Sequence, residues 1–338
     1  MSSHENDCVV NKMSLKKIAA LTGVSISTVS RVLSDAPGPC ASKEVREKIW
    51  HAAQEIGYAP NRAAQSLRKG EQANAAPKIA IVNARIRSFG DDPFFQELFM
   101  SVRSELYREG CAYFSCDVTD NGPIVIPKCD GMVILGRCSR DILDKLRRRT
   151  PNIVGVWRNP TDFAIDEVMC DGKKAAAMAV DYLISRGRKC IAYIGDCTDE
   201  SRYDGYRDAL ARGGMPLDPK LVFETSQTHA EGLEAMRRII ADGSADAVFC
   251  ANDITAAGAL EALAEIPRNR PRIAVISIDN IDLAQQTAPL LTTINIPRGD
   301  MAHMAVKVLM DRIAGGHSEI VRVEFPCRLV KRKSCFES

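Results

Sequence analysis

Apolar residues recur at helical spacing in three short runs near the start of the chain. Each run follows a serine that can cap a helix, namely Ser14, Ser25 and Ser42. Gly23 separates the first two runs and leaves too few residues for their helices to lie antiparallel. The apolar positions are Leu15, Ile18, Ala19, Leu21, Val29, Val32, Leu33, Val45, Ile49, Ala52, Ala53 and Ile56. The pattern predicts an N-terminal all-α head of the helix-turn-helix type, with the second helix offered to a major groove.

From Lys78 onward, short apolar runs alternate with helical patterns, which indicates parallel sheets with crossover helices. The predicted strands are Ile79–Val82, Ala112–Ser115, Gly131–Leu135, Ile153–Val156, Cys190–Ile194, Ala247–Cys250 and Ile273–Ile278. The predicted helices are Pro93–Glu109, Lys173–Arg186, Ser201–Arg212, Glu231–Ala241, Ile254–Glu265 and Asp300–Ala314. This number of alternating strands and helices predicts an α/β core of two doubly wound parallel-sheet subdomains. We expect the ligand cleft where the carboxyl ends of the strands in the two subdomains face each other.

The composition is that of a soluble globular protein, with 46% hydrophobic and 26% charged residues. The sequence has no apolar run of about 18 residues, and its first residues lack the basic and then apolar pattern of a signal peptide. We therefore expect a cytoplasmic protein without a membrane partner, which argues against a secreted solute-binding protein.

Positive charge is concentrated in the head. Residues 13–70 hold nine Lys or Arg against four acidic residues, a net charge of +5, whereas the whole chain carries only +2. A basic head on a near-neutral body is typical of a domain that contacts phosphates. The outward face of the second helix carries Ile26, Ser27, Ser30 and Arg31. Arginine can form paired hydrogen bonds with guanine, and hydroxyls suit phosphate oxygens.

No catalytic constellation stands out in the sequence. The five histidines lie far apart, and the chain has no P-loop, nucleophile elbow, Gly-x-Gly-x-x-Gly motif or metal-ligand spacing. Twelve cysteines are scattered from Cys8 to Cys335 without a Cys-x-x-Cys pair. We interpret them as reduced, small apolar side chains, with a redox switch as the alternative. We expect neither an enzyme nor a metal or cofactor site.

The strings SLKKIAALTGVSISTVSRVLS and VREKIWHAAQEIGYAPNRAAQSLR closely resemble the DNA-binding region of the lactose and purine repressor family. The resemblance implies that Leu67, in a hinge helix over residues 61–68, wedges between base steps in the minor groove. The alternative for Leu67 is a linker residue packed on the head. By the same resemblance, the base contacts are Ile26, Ser27 and Arg31, and the positions near phosphates are Ser25, Thr28, Ser30, Tyr58 and Asn61.

The remaining chain is similar to the periplasmic-binding-protein-like core of the same family. The matching pieces, in the expected order, are Asp92–Phe95, Arg202–Tyr206, Ala251–Asp253 and Ser277–Asp279. The resemblance implies effector contacts, for which helix capping is the structural alternative. The implied effector contacts are Asp92, Asp171, Arg202, Asn252 and Asp279. Carboxylates, a guanidinium and an amide together suit sugar hydroxyls.

Two departures from the family pattern are visible. Gln227 stands where many members place an aromatic ring that stacks on the ligand. Residues 117–129 are too short for the usual crossover helix, so we expect that helix to be lost or stunted. The C-terminus lacks apolar heptads, which favours a homodimer over a tetramer.

These observations divide the chain into three parts: a helix-turn-helix DNA-binding domain (13–60), a hinge helix and linker (61–77), and an effector-binding and dimerisation domain (78–338). We expect a repressor that binds a pseudo-palindromic operator and responds to a small molecule, with carbohydrate as the expected class. The alternative is the same regulator controlled by a protein partner. The sequence does not distinguish an inducer from a corepressor.

Overall fold

The computed structural model describes residues 15–33, 41–55, 76–84, 92–118, 124–157, 159, 161–198, 200–267 and 272–335. Ser14 and Ile56 lie outside the described residues, as do the predicted hinge helix over 61–68 and the predicted DNA contacts Tyr58, Asn61 and Leu67.

The head contains the three predicted helices: α1 (residues 15–22), α2 (Ile26–Leu33) and α3 (Lys43–Glu55). Gly23 ends α1 with a left-handed φ of 71°, and its N–H donates to the Ala19 carbonyl at 2.9 Å. Ser42 caps α3, because its hydroxyl accepts from the Val45 N–H at 3.3 Å. Leu21 is 51% exposed, since the small core formed by Ile18, Val29, Val32, Leu33, Ile49, Ala52 and Ala53 closes without it.

The first subdomain is built on a parallel sheet with the strand order β11-β5-β4-β3-β1-β2 in the described chain. Its strands are β1 (Lys78–Asn83), β2 (Ala112–Asp117), β3 (Gly131–Leu135), β4 (Ile153–Trp157), β5 (Asp166–Met169) and β11 (Arg322–Glu324). Helices α4 (Pro93–Arg108), α5 (Arg140–Arg147) and α10 (Arg298–Ile313) cover this sheet. The central strands are buried throughout, as expected for a sheet with helices on both faces.

The second subdomain repeats this plan with the order β12-β10-β9-β8-β6-β7, in which only β12 runs antiparallel among the described strands. Its strands are β6 (Ile191–Gly195), β7 (Val222–Glu224), β8 (Ala247–Cys250), β9 (Ala274–Asp279), β10 (Thr292–Asn295) and β12 (Arg328–Val330). Its helices are α6 (Gly172–Ser185), α7 (Ser201–Arg212), α8 (His229–Asp242) and α9 (Asp253–Ala264). The predicted class, a helix-turn-helix head on two doubly wound α/β subdomains, is correct.

The predicted strands and helices of the core are confirmed within one or two residues at most ends. The sequence reading missed α5 and the strands β5, β7, β10, β11 and β12. Among the described residues of this connection, 118 and 124–130 form no helix, in agreement with the expected loss of a crossover helix there. Buried Ile126 and Cys129 pack there on the same apolar cluster as α5. A segment without helical structure thus covers part of a sheet face that a helix would otherwise cover.

The chain passes between the subdomains at three places in the described structure. β5 is followed by α6 at Cys170 and Asp171, β10 is followed by α10 at Ile296 and Pro297, and β11 is followed by β12 across residues 325–327. Neighbouring crossovers are themselves hydrogen-bonded, because the Phe325 N–H donates to the Met169 carbonyl at 2.8 Å. Any rotation of one subdomain against the other must therefore be taken up by these short segments.

Candidate functional site

Helix α2 presents its polar face to solvent. Ser25 caps this helix, and its hydroxyl accepts from the Thr28 N–H at 3.1 Å. Ile26 is 42% exposed, which is unusual for a large apolar side chain at the start of a helix. Every residue of α2 predicted to contact bases or phosphates is accessible to some degree: Ser25, Ile26, Ser27, Ser30 and Arg31 are exposed, and Thr28 is half-buried. The predicted DNA-binding face is therefore open for contact.

The loops that follow β6, β7, β8 and β9 converge at the carboxyl edge of the second sheet, as parallel strands require. Arg202, at the start of α7, is buried at the centre of this region with 4% of its surface exposed. Its Nε and one terminal nitrogen donate to the two Glu200 oxygens at 2.8 and 2.7 Å. The other terminal nitrogen donates to the Ala251 carbonyl at 2.7 Å. Glu200 thus holds the guanidinium in a two-pronged ion pair.

The charge state of Arg202 is fixed by this pair. Burial alone would lower the pKa of the guanidinium, but the Glu200 carboxylate raises it above its ordinary value. The same side chain donates to Gln227 Oε1 at 3.0 Å. Most of the hydrogen-bonding fork of Arg202 is therefore occupied within the protein.

Gln227 and Asn252 are tied together beside Arg202. The Asn252 amide caps α9 by accepting from the Thr255 N–H at 2.9 Å, and its Nδ2 donates to the Gln227 carbonyl at 3.3 Å. Both side chains are buried. The position at which the family often has an aromatic ring is thus part of a polar network in this protein.

Two buried carboxylates lie next to this network. Asp253 accepts from the Ser277 hydroxyl at 2.5 Å, the Thr293 hydroxyl at 2.7 Å and the Ile281 N–H at 2.8 Å. Burial and the neighbouring Asp279 carboxylate raise the pKa of Asp253 to about 7, although these hydrogen bonds oppose the shift. Asp279 is 3% exposed and lies at the end of β9. Arg298 donates to the Asp279 and Asn280 carbonyls, so a second guanidinium lies at this end of the sheet.

The backbone is strained at the same place. The non-glycine residues with positive φ in the described chain are Gln227 at 64°, Asp279 at 118° and Asn280 at 53°. Such conformations cost about 1–3 kcal/mol each and concentrate at binding sites, where the surrounding structure enforces them. Their convergence with Arg202 and Asn252 marks this edge as the candidate ligand site.

The two remaining predicted contacts act as helix caps. Asp92 is buried and accepts from the Phe94 N–H at 3.0 Å at the start of α4. Asp171 accepts from the Lys173 and Lys174 N–H groups at 2.9 and 3.2 Å, and it begins α6 just after a crossover. Arg202, Asn252 and Asp279 are brought together in the second subdomain, whereas Asp92 belongs to the first subdomain and Asp171 to the connection between them.

Sequence reasoning missed Glu200 and gave Asp253 only a capping role. The signal for Glu200 was available, because an acidic residue two positions before Arg202 can both cap α7 and reach the guanidinium. The burial of Asp253 between β9 and β10 had no signal, since β10 itself was not predicted. Among the described residues, no group of His, Cys, Asp and Glu is arranged to hold a metal ion. None of the described helices is long and apolar enough to span a bilayer.

Comparison with known proteins agrees with both parts of the chain. The family profile of bacterial regulatory proteins, lacI family, matches residues 14–61, and that of the periplasmic binding protein-like domain matches residues 180–335. The chain is 30% identical over 337 residues to the HTH-type transcriptional repressor PurR of Pasteurella multocida, which covers 95% of this chain and 98% of that protein. It is 28% identical over 341 residues to PurR of Mannheimia succiniciproducens, with the same coverage.

Solved structures give the same result. The transcriptional regulator CelR in complex with cellobiose is 27% identical and aligns with a TM-score of 0.68 over 95% of this chain and 99% of that one. The lac repressor dimer bound to operator aligns with a TM-score of 0.66 over 95% of this chain and 98% of that one. At 21% identity it supports the fold alone.

Proposed function

Because the chain belongs to the lacI family of bacterial regulatory proteins and is a DNA-binding transcriptional repressor rather than an enzyme, we propose that a neutral sugar or sugar derivative controls it. In this proposal the ligand binds between the two subdomains of residues 78–338, and the head of residues 13–60 binds a pseudo-palindromic operator as part of a homodimer. Residues 61–77 connect the two parts. The observation that supports the ligand site best is the strained polar cluster of Arg202, Gln227, Asn252 and Asp279.

The exposed face of α2 supports a specific role for Arg31 in reading a base. We expect Arg31→Ala to weaken binding to the preferred operator by about 5- to 150-fold, the equivalent of about 1–3 kcal/mol for one paired guanine contact. The operator is first obtained by selecting DNA from a random pool with the full-length protein. Binding is then measured at one fixed salt concentration, since phosphate contacts depend strongly on salt.

Arg31→Lys is the matched control for this prediction, because it keeps the positive charge and removes the planar fork. If Arg31 reads a base, the lysine variant loses sequence preference almost as fully as the alanine variant. An equal loss of affinity by the alanine variant for the selected operator and for random-sequence DNA would contradict base reading and assign Arg31 to the phosphate backbone instead.

The charge around the cluster supports a neutral ligand. Glu200 already neutralises Arg202, so the guanidinium offers little to an anion. Asp279, at the carboxyl end of β9, is an acceptor that suits donating hydroxyls. A sugar phosphate would find the two nearby guanidinium groups already paired, Arg202 with Glu200 and Arg298 with Glu97, whereas a neutral polyol would supply hydrogen-bond donors. The cellobiose bound by CelR belongs to the same chemical class as the ligand proposed here.

A thermal-shift screen of the full-length protein tests this proposal. The panel contains mono- and disaccharides, their phosphates, nucleosides and purine bases. A ligand at about 100 times its Kd should raise the Tm by about 5 °C. We expect the response from a neutral sugar and a weaker response from its phosphate. The Asp279→Asn variant should lose the response, whereas the exposed Asp208→Asn variant should keep it.

Each contrary outcome has a distinct meaning. A response to a nucleobase alone would keep the cleft and overturn the sugar assignment. A screen without any response, with the fold verified by circular dichroism, would favour control by a protein partner. A response that also changes operator affinity establishes the ligand as an effector, and the direction of that change identifies an inducer or a corepressor.

A further inference from the structure

Cys170 and Cys327 lie in two of the described crossovers between the subdomains. Cys170 follows β5 directly, and Cys327 lies between β11 and β12. β5 and β11 are parallel neighbours in which Met169 pairs with Glu324, so both cysteines leave the same edge of the sheet side by side. Both are buried in one apolar cluster, with Cys170 inaccessible and Cys327 9% exposed. The fold therefore brings together two thiols that are 157 positions apart in sequence.

The two thiols interact directly and unequally. Cys170 donates a hydrogen bond to the Cys327 sulfur, which raises the pKa of Cys170 and lowers the pKa of Cys327. By contrast, burial raises the pKa of Cys250, which lies beside the Asp253 carboxylate. An oxidant must reach the sulfur that it oxidises, and of the two residues Cys327 keeps some exposed surface, at 9%, whereas Cys170 has none. Cys327 is therefore the thiol that an oxidant reaches first, with Cys170 beside it as the resolving partner.

We propose that Cys170 and Cys327 are an oxidisable dithiol that, as a disulfide, ties together two crossovers between the subdomains. The oxidant is hydrogen peroxide. The Cys327 thiolate attacks one peroxide oxygen and the O–O bond breaks, which gives a sulfenic acid, and the departing hydroxide takes up the proton that Cys327 lost and leaves as water. The Cys170 sulfur then attacks the sulfenic sulfur, the S–S bond forms, and the Cys170 proton leaves with hydroxide as a second water. The two thiols lose two electrons and the peroxide gains them.

A disulfide between Cys170 and Cys327 has a mechanical effect because it lies in the crossovers between the subdomains. The segments after β5 and β11 both connect the subdomains, so a rotation of one subdomain against the other must bend the backbone of each segment. A covalent bond between them holds the two crossovers at one separation, so oxidation restricts cleft opening and closure whatever the ligand is.

Peptide mapping of the oxidised full-length protein tests the proposal without any variant. Trypsin releases Cys170 in residues 159–173 and Cys327 in residues 323–328, and each peptide contains one cysteine. After exposure to hydrogen peroxide, alkylation of the remaining thiols and non-reducing digestion, we expect the cross-linked pair of these peptides. Dithiothreitol should abolish the cross-link. A map in which the exposed Cys190 is oxidised while Cys170 and Cys327 remain alkylated would overturn the proposal.

Variants separate the roles of the two thiols. In Cys170→Ala the resolving thiol is absent, so dimedone should label Cys327 as a sulfenic acid. Cys327→Ala should show no such label at Cys170. Cys250→Ala, at another fully buried thiol, should form the cross-link as the wild type does. Dimedone labelling of Cys170 in the Cys327→Ala variant would contradict the assignment of Cys327 as the attacking thiol.

Discussion

Replacing Glu200 with leucine is expected to lower the free energy of unfolding by about 3–5 kcal/mol, because it leaves the Arg202 guanidinium charged, buried and without its ionic partner. The variant also loses the carboxylate that accepts from the Arg202 N–H at 3.0 Å and caps α7. Urea unfolding followed by circular dichroism measures the change. The same loss should loosen the cluster, so the variant should also lose its thermal response to any ligand found in the screen.

Two further variants isolate the buried pair. Asp204→Asn breaks an ion pair with Arg207 in which both side chains are about half exposed, and the unfolding free energy should change by no more than about 0.5 kcal/mol. In the double variant Glu200→Leu with Arg202→Leu no unpaired charge remains, so a large part of the stability should return. If Glu200→Leu lowers the free energy of unfolding no more than Asp204→Asn does, the buried ion pair contributes no more to stability than an exposed one.

The head could be predicted almost entirely from the sequence because its signals are local. Ser25, Gly23 and Ser42 each act within a few residues of their own position, and the structure places them as caps or stops, as expected. Leu21 is exposed for a tertiary reason. Its position fits the helical period, but the neighbouring helices form a core too small to reach it.

The cleft could be predicted only in part, because long-range pairing determines it. Arg202, Asn252 and Asp279 follow strands that the sequence reading found, and the structure brings them together. β5, β10 and β11 consist of three or four residues each, too short for an apolar run to stand out. Without them, neither the burial of Asp253 beside Thr293 nor the contact between Cys170 and Cys327 can be derived, since each joins residues from distant parts of the chain.

Close packing of α8 against α9 sets the position of the polar cluster. Gln227 lies just before α8, and Asn252 caps α9. The helices meet at two glycines. A Cβ on Gly258 would lie 2.0 Å from the His229 carbonyl oxygen, and a Cβ on Gly232 would lie 2.1 Å from the Thr255 carbonyl oxygen. These atoms are backbone, so a methyl group can be accommodated only if the helices move apart.

We therefore expect Gly258→Ala to lower the free energy of unfolding by about 3 kcal/mol, at the upper end of the usual cost of overpacking. The hydrogen bond from Asn252 to the Gln227 carbonyl should be lost as well, because its two ends move with the two helices. Gly299→Ala is the control. A Cβ there meets no atom within 4 Å, and alanine favours the helix, so stability should stay level or rise by up to about 1 kcal/mol. Equal stabilities for the two variants would show that α8 and α9 can move apart at little cost in free energy. The packing of these helices would then not be what fixes Gln227 and Asn252 in place.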